Sequence, residues 1–256
     1  MDRAPHLARV LLLAAGCILA AVRPSPGQEH DPRAPLVVAA APYPPFLEAK
    51  SGGAVAGFEA ELLERFAKAE GIRVAYRLLG RFADVLRALE RGEVDAAGGG
   101  IHATPERMER YEFGVYVRSG LVIVGRPGRA GVAGAGELAG LSVGVKKGAT
   151  GESLARSFAA RVPGIRVVSF SRTEDSYEAL LAGRIDVLVD DYLHARHLVR
   201  QGTAAAILSK PLTSVGMGLA FRKDPASRRL RKRFERFIAA FSKTEEFDLL
   251  YERYFF

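Results

Sequence analysis

Two places in this 256-residue chain hold side chains whose types and spacing suit binding of a small charged molecule. The first is the run GGGIHATPERMER, residues 98–110. Thr104 is a good helix N-cap, Pro105 suits the first helical position, and Glu106 suits the positive end of the helix dipole. Arg107 does not. A cation in the first turn sits against free backbone N–H groups, at a cost of a few tenths to about 1 kcal/mol, so an anion is expected beside it. The second place is Asp190-Asp191, a carboxylate pair closing the apolar run at 187–189. A zwitterion satisfies both. Its carboxylate takes Arg107 and nearby helix N–H groups, and its ammonium takes Asp191.

An internal repeat says how two such distant segments meet. Ala-Leu-Glu-Arg-Gly-Glu-Val-Asp at 88–95 matches Ala-Leu-Leu-Ala-Gly-Arg-Ile-Asp at 179–186, at an offset of 91 residues. Each copy reads as a helix ending at a glycine, followed by a strand. Upstream of each lie a β-rich run (36–41 and 141–145), an amphipathic helix (57–71 and 151–162) and a further strand (74–78 and 166–170). The order β-α-β-α-β, twice, predicts an α/β protein with two lobes, each a mostly parallel sheet flanked by helices. Ligands of open α/β sheets bind beyond the carboxyl ends of the strands. The offset maps Asp191 onto Gly100, so the Arg107 loop and the aspartate pair occupy equivalent strand ends and face each other if the lobes do.

Composition narrows the class. Apolar residues make up 48% of the chain, enough for a sizeable core, and the one cysteine, Cys17, rules out an internal disulfide. Arg3 and Arg9 precede an apolar run of thirteen residues, 10–22, which is too short to span a bilayer comfortably. Residues 1–27 therefore read as a secretory signal. A lipid anchor at Cys17 and an uncleaved anchor are the alternatives. The rest is expected to be soluble and exported. The net charge is +8, much of it between Arg222 and Arg236. A nucleic-acid or membrane patch would be rich in such residues. Leu230, Phe234, Phe237, Ile238 and Phe241 form a helical stripe there, so the solvated face of an amphipathic helix is expected, and no nucleic acid.

From about Leu36 to Phe255 the chain resembles the bacterial extracellular solute-binding proteins of the polar amino-acid type, family 3. The landmarks are Tyr43-Pro44-Pro45-Phe46, Gly57-Phe58-Glu59-Ala60-Glu61-Leu62, Thr104-Pro105-Glu106-Arg107, Gly148-Ala149-Thr150, Gly183-Arg184-Ile185-Asp186 with Asp191, and Tyr251-Glu252-Arg253-Tyr254-Phe255. The resemblance implies a two-lobed periplasmic-binding-protein-like fold (type II) that closes on its ligand by a hinge. Lobe one is then 33–124 with 214–256, and lobe two 125–213, with crossings near Val124–Arg126 and Lys210–Ser214. It also implies roles. Arg107 resembles the α-carboxylate clamp and Asp191 the α-ammonium acceptor, with Asp190 a neighbour outside the ligand shell. Thr150 would hold the carboxylate, Tyr43 and Phe82 would flank the ligand side chain, and Gly100 would offer its carbonyl. Plainer roles are open for each: a surface salt bridge of Arg107 with Glu106 or Asp84, helix caps for Asp191 and Thr150, core packing for Tyr43 and Phe82.

Departures from the family pattern bear on the ligand. Ala40 stands where binders of basic amino acids usually carry an aspartate, His102 where serine or threonine is frequent, and Ala149 where a hydroxyl is common. Lys146 adds a cation. A polar or acidic amino acid, or a related carboxylate, is favoured over Lys, Arg or His, and His102 is either a ligand contact or a packed side chain. The resemblance implies a monomeric receptor that hands its ligand to the permease of an ABC importer, without cofactor. An enzyme is the first rival, a dehydratase acting on prephenate or arogenate with His102 as acid. No pair of groups dedicated to proton transfer supports it. A zinc pair at His194 and His197 lacks a third ligand. A stand-alone ligand sensor is the second rival, with no fused module expected after Phe256.

Overall fold

The computed structural model describes residues 34–129 and 131–256. The secretory segment and Cys17 lie outside the described residues. Lobe one opens with β1 (Leu36–Ala40), a hairpin of β2 (Glu48–Ala49) and β3 (Val55–Ala56), α1 (Phe58–Glu70), β4 (Val74–Leu78), α2 (Phe82–Glu90) and β5 (Ala96–His102). Then come α3 (Pro105–Arg110), β6 (Glu112–Ser119) and β7 (Leu121–Gly125). Lobe two continues with β8 (Ser142–Lys146), α4 (Thr150–Ala159), β9 (Arg166–Phe170), α5 (Thr173–Leu181), β10 (Val187–Asp191), α6 (Tyr192–Arg200) and β11 (Ala206–Ile207). The chain returns to lobe one through β12 (Val215–Phe221), α7 (Pro225–Phe241) and α8 (Glu245–Phe255).

The two sheets run β4-β1-β5-β12-β6 and β11-β7-β10-β8-β9. In each, the three strands of the β-α-β-α-β unit are parallel, and a fourth adds antiparallel to the last of them: β12 to β5, β7 to β10. The repeat is therefore a repeat of structure. It is also one of contacts. Asp95 Oδ2 accepts from the Val37 N–H of β1 at 2.8 Å, and Asp186 Oδ2 accepts from the Ser142 N–H of β8 at 2.9 Å.

Sheet pairing corrects the first crossing. The sequence placed it near Val124–Arg126, yet the strand residues 121–124 pair with 188–191 in the second sheet. The break falls at Gly120, where a Cβ would lie 2.1 Å from the Thr213 carbonyl oxygen of the returning segment. A side chain there would force the two crossing segments apart. One glycine between two β-rich strands gave no stronger boundary signal.

The basic run is the outer face of α7. Phe234, Ile238 and Phe241 are buried, while Arg228 and Arg231 pair with Glu112 and Arg233 with Glu70. Burying each large apolar side chain contributes about 1.5–3 kcal/mol, against at most about 1 kcal/mol per exposed ion pair, so packing rather than charge seats this helix. Leu193 of α6 belongs to the same buried cluster as Phe58, Phe66 and Phe255, which fastens the helix after Asp191 onto lobe one.

Candidate functional site

β5 carries one side of the site, and its glycines shape it. Gly99 and Gly100 have φ of +91° and +72°, and the pairing with β12 jumps from Gly218↔Ile101 to Ala220↔Ala97. The strand bulges there. Buried Glu59 fills the bulge: Oε1 accepts from the Gly99 N–H at 2.8 Å, and Oε2 accepts from the Gly100 N–H at 3.2 Å and the Tyr116 hydroxyl at 2.5 Å. A Cβ at Gly98 would lie 2.0 Å from Glu59 Oε1, and one at Gly100 2.8 Å from the Phe46 ring. Burial keeps the Glu59 carboxyl above its ordinary pKa, although these hydrogen bonds pull the other way.

Arg107 follows on α3. Thr104 caps the helix, its Oγ1 accepting from the Arg107 N–H at 3.3 Å. The guanidinium donates to the His102 carbonyl at 3.0 Å and, across the cleft, to the Gly148 carbonyl at 3.1 Å, and lies over the Phe82 ring at 4.9 Å. Asp84, the alternative partner, is engaged by Arg81 and Arg87 instead. Arg107 forms no ion pair among the described residues, and loss of hydration at its inner end lowers its pKa to about 10. It is a cation held by carbonyls and an aromatic face.

The end of β10 supplies the other side. Asp191 is both helix cap and cleft group. Its Oδ1 accepts from the N–H groups of Leu193 at 2.9 Å and His194 at 3.4 Å, while Oδ2 meets His102 Nε2 at 2.9 Å. Asp190, set outside the ligand shell in the sequence, is bonded to three side chains of the protein. Its carboxylate accepts from Tyr43 and Tyr177, each at 2.9 Å, and contacts His194 Nδ1 at 2.5 Å. Burial alone would raise its pKa; the charge of His194 and the hydrogen bonds outweigh this and hold it low. Tyr43 stacks on His194 with centroids 4.2 Å apart and receives the Lys146 ammonium 4.6 Å from its ring centre.

The loop before α4 closes the site. Ala149 occupies the cap position and Thr150 begins the helix, so Thr150 is not the N-cap. Glu152 reaches back to the Gly148 N–H at 2.7 Å and also accepts from Ser169 and Arg156, each at 2.7 Å. Burial opposes its charge, but these bonds hold its pKa at about 2. The Gly148 carbonyl is thereby fixed where Arg107 finds it.

All seven residues singled out in the sequence, Tyr43, Phe82, Gly100, His102, Arg107, Thr150 and Asp191, line one cleft of about 490 Å3 counted to its open mouth, with Lys146 and Asp190. Tyr43 and Phe82 also pack against core clusters, so their packing and cleft positions coexist. Sequence reasoning gave no role to Glu59, Tyr177 or His194. Glu59 shares a helical face with Leu62, Leu63 and Phe66, a spacing that marks a buried carboxylate. His194 stands four residues beyond Asp190, and its Nδ1 is engaged there rather than in a pair with His197. Among the described residues no group of three His, Cys, Asp or Glu side chains is placed to hold a metal ion.

Comparison with known proteins agrees with this architecture. The profile of the bacterial extracellular solute-binding proteins, family 3, matches residues 36–256. The L-cystine-binding protein TcyJ of Escherichia coli is 28% identical over 83% of this chain and 79% of its own. An ancestral arginine-binding protein bound to arginine superposes with a TM-score of 0.80 at 26% identity, covering 88% of this chain and 100% of that one. The ancestral amino acid-binding protein AncCDT-1, a precursor of cyclohexadienyl dehydratase, gives 0.77 at 25% identity, covering 86% and 95%.

Proposed function

The chain belongs to the bacterial extracellular solute-binding proteins of family 3, and from that premise we propose that it is an exported, periplasmic receptor for an amino acid or related small carboxylate, serving an ABC import permease. One observation carries this. Arg107 sits in the cleft between the lobes with both of its hydrogen-bonded partners uncharged, and the first turn of α4 stands opposite.

In this mechanism the ligand carboxylate meets Arg107 and the N–H groups beginning α4 at Thr150. The ammonium meets Asp191 and the Gly100 carbonyl. Asp191 already accepts three hydrogen bonds, but a carboxylate offers about four lone-pair sites, so one more donor fits. Tyr43 and Phe82 enclose the side chain. Closure is a hinge motion about the crossings at Gly120 and residues 210–214, drawing the lobes together through Tyr43–Asp190, His102–Asp191 and Arg107–Gly148. The closed form is what a permease would recognise.

The non-enzymatic reading is supported by a cleft whose acids and bases are tied to one another. His102, the acid a dehydratase would need, faces Asp191. Calorimetric titration with L-amino acids, small carboxylates and prephenate tests the proposal. Saturable binding of a zwitterion without product supports it; release of product from prephenate, or no binding across the panel, overturns it.

A further inference from the structure

Lys146 is the charged cleft residue to which this mechanism gives no work. It ends β8 in lobe two. Its ammonium lies 4.6 Å from the Tyr43 ring centre and 5.8 Å from that of Phe82, the ring over which Arg107 lies at 4.9 Å. Both cations lie near one ring, which puts them within about 11 Å of each other. Lys146, like Arg107, forms no ion pair among the described residues. The carboxylates around it are engaged elsewhere: Asp190 by Tyr43, Tyr177 and His194, Asp191 by His102 and the start of α6, Glu174 by Arg172. Burial lowers the Lys146 pKa; Asp190 and Glu174 oppose this, and the charge of Arg107 adds to it. The aromatic faces hold the ammonium by cation–π attraction without neutralising it.

We infer that Lys146 is the specificity-determining residue of the cleft and receives a second anionic group of the ligand, which is therefore a dicarboxylic amino acid or a comparable short dianion. This rests on the receptor reading, in which Arg107 takes the first carboxylate. A short dicarboxylate spans the gap between the cations with a charge-assisted hydrogen bond at each end. A neutral amide leaves the Lys146 ammonium desolvated and uncompensated, and a basic side chain meets a like charge there. Ala40, at the end of β1 and fully buried, supplies no countercharge.

The test is calorimetric titration of the protein with L-aspartate and L-glutamate, their amides L-asparagine and L-glutamine, and L-arginine. The better of the two acids is expected to bind at least tenfold more tightly than its own amide. That ratio should fall toward one in Lys146→Met and be kept in Lys146→Arg. Equal binding of acid and amide by the native protein, a preference for arginine, or an unchanged ratio in Lys146→Met overturns the inference. Tight binding of a neutral or basic amino acid overturns it and leaves the receptor reading standing. Binding of no amino acid overturns both.

Discussion

Tyr43 of lobe one donates its hydroxyl to Asp190 of lobe two at 2.9 Å, and its ring stacks on His194, which contacts the same carboxylate. One side chain thus holds a hydrogen bond and an aromatic contact across the cleft. The acceptor is buried and charged, where such a bond counts most.

Tyr43→Phe keeps the ring and removes the bond. Asp190 retains Tyr177 and His194, so the loss is set at the low end for a bond to a charged group, about 1.5 kcal/mol. It falls on the closed form alone. Ligand affinity should drop about tenfold, read by calorimetry, and small-angle scattering should show a more open protein at equal ligand concentration. A change under twofold would mean that the bond does not stabilise the bound state.

Arg107→Ala should cost far more. If a ligand carboxylate is buried against this guanidinium, removing the cation strands the anion, at about 3–5 kcal/mol, which is over a hundredfold in Kd. Arg107→Lys should fall between, because an ammonium lacks the planar fork that holds a carboxylate with two bonds. A loss of less than threefold in the alanine variant would place the carboxylate elsewhere.

Glu152 makes the Gly148 loop acid-sensitive. Its folded pKa, about 2, lies below the ordinary glutamate value near ~4.3. Its stabilising contribution is therefore complete above the unfolded value and is lost as pH falls from there toward 2. Thermal unfolding followed from pH 6 to pH 2.5 should show a steeper fall for the native protein than for Glu152→Gln below pH 4.5. Parallel curves would exclude Glu152 as a source of the acid sensitivity.

The two-lobed plan was legible because the chain carries it twice, at one offset, with the aspartates of the two copies making the same bond to the first strand of each sheet. The place of Arg107 at the cleft was legible because its charge is wrong for its place in a helix. Asp190 was not. Which of two adjacent strand-end aspartates is locked depends on Tyr43 and Tyr177, distant in sequence and local only in the fold. The crossing at Gly120 was hidden for a similar reason: two strands follow one another, and only their hydrogen-bond partners tell which sheet each joins.

The repeat extends to a pair of arginines that the matched sequence does not include. Arg222, after β12, donates to the carbonyls of Leu89 and Val94 at 3.3 and 2.6 Å; Arg126, after β7, donates to those of Leu180 and Ile185 at 2.7 and 3.0 Å. The four acceptor residues are buried and occupy matching positions of the two copies. Leu89 and Leu180 keep the N–H groups of Gly92 and Gly183 as donors, so Arg222→Met or Arg126→Met strands one buried carbonyl, that of Val94 or of Ile185, at about 1–3 kcal/mol. With roughly 2–4 °C of Tm per kcal/mol in a chain of this size, each variant should melt about 2–12 °C lower. The two sites share no partner, so the free-energy losses should add in the double variant to within about 0.5 kcal/mol. Equal single losses that add would mean that each lobe is clamped separately by its own arginine. A loss confined to one variant would mean that the other copy of the clamp is geometric only, with water replacing the guanidinium at little cost.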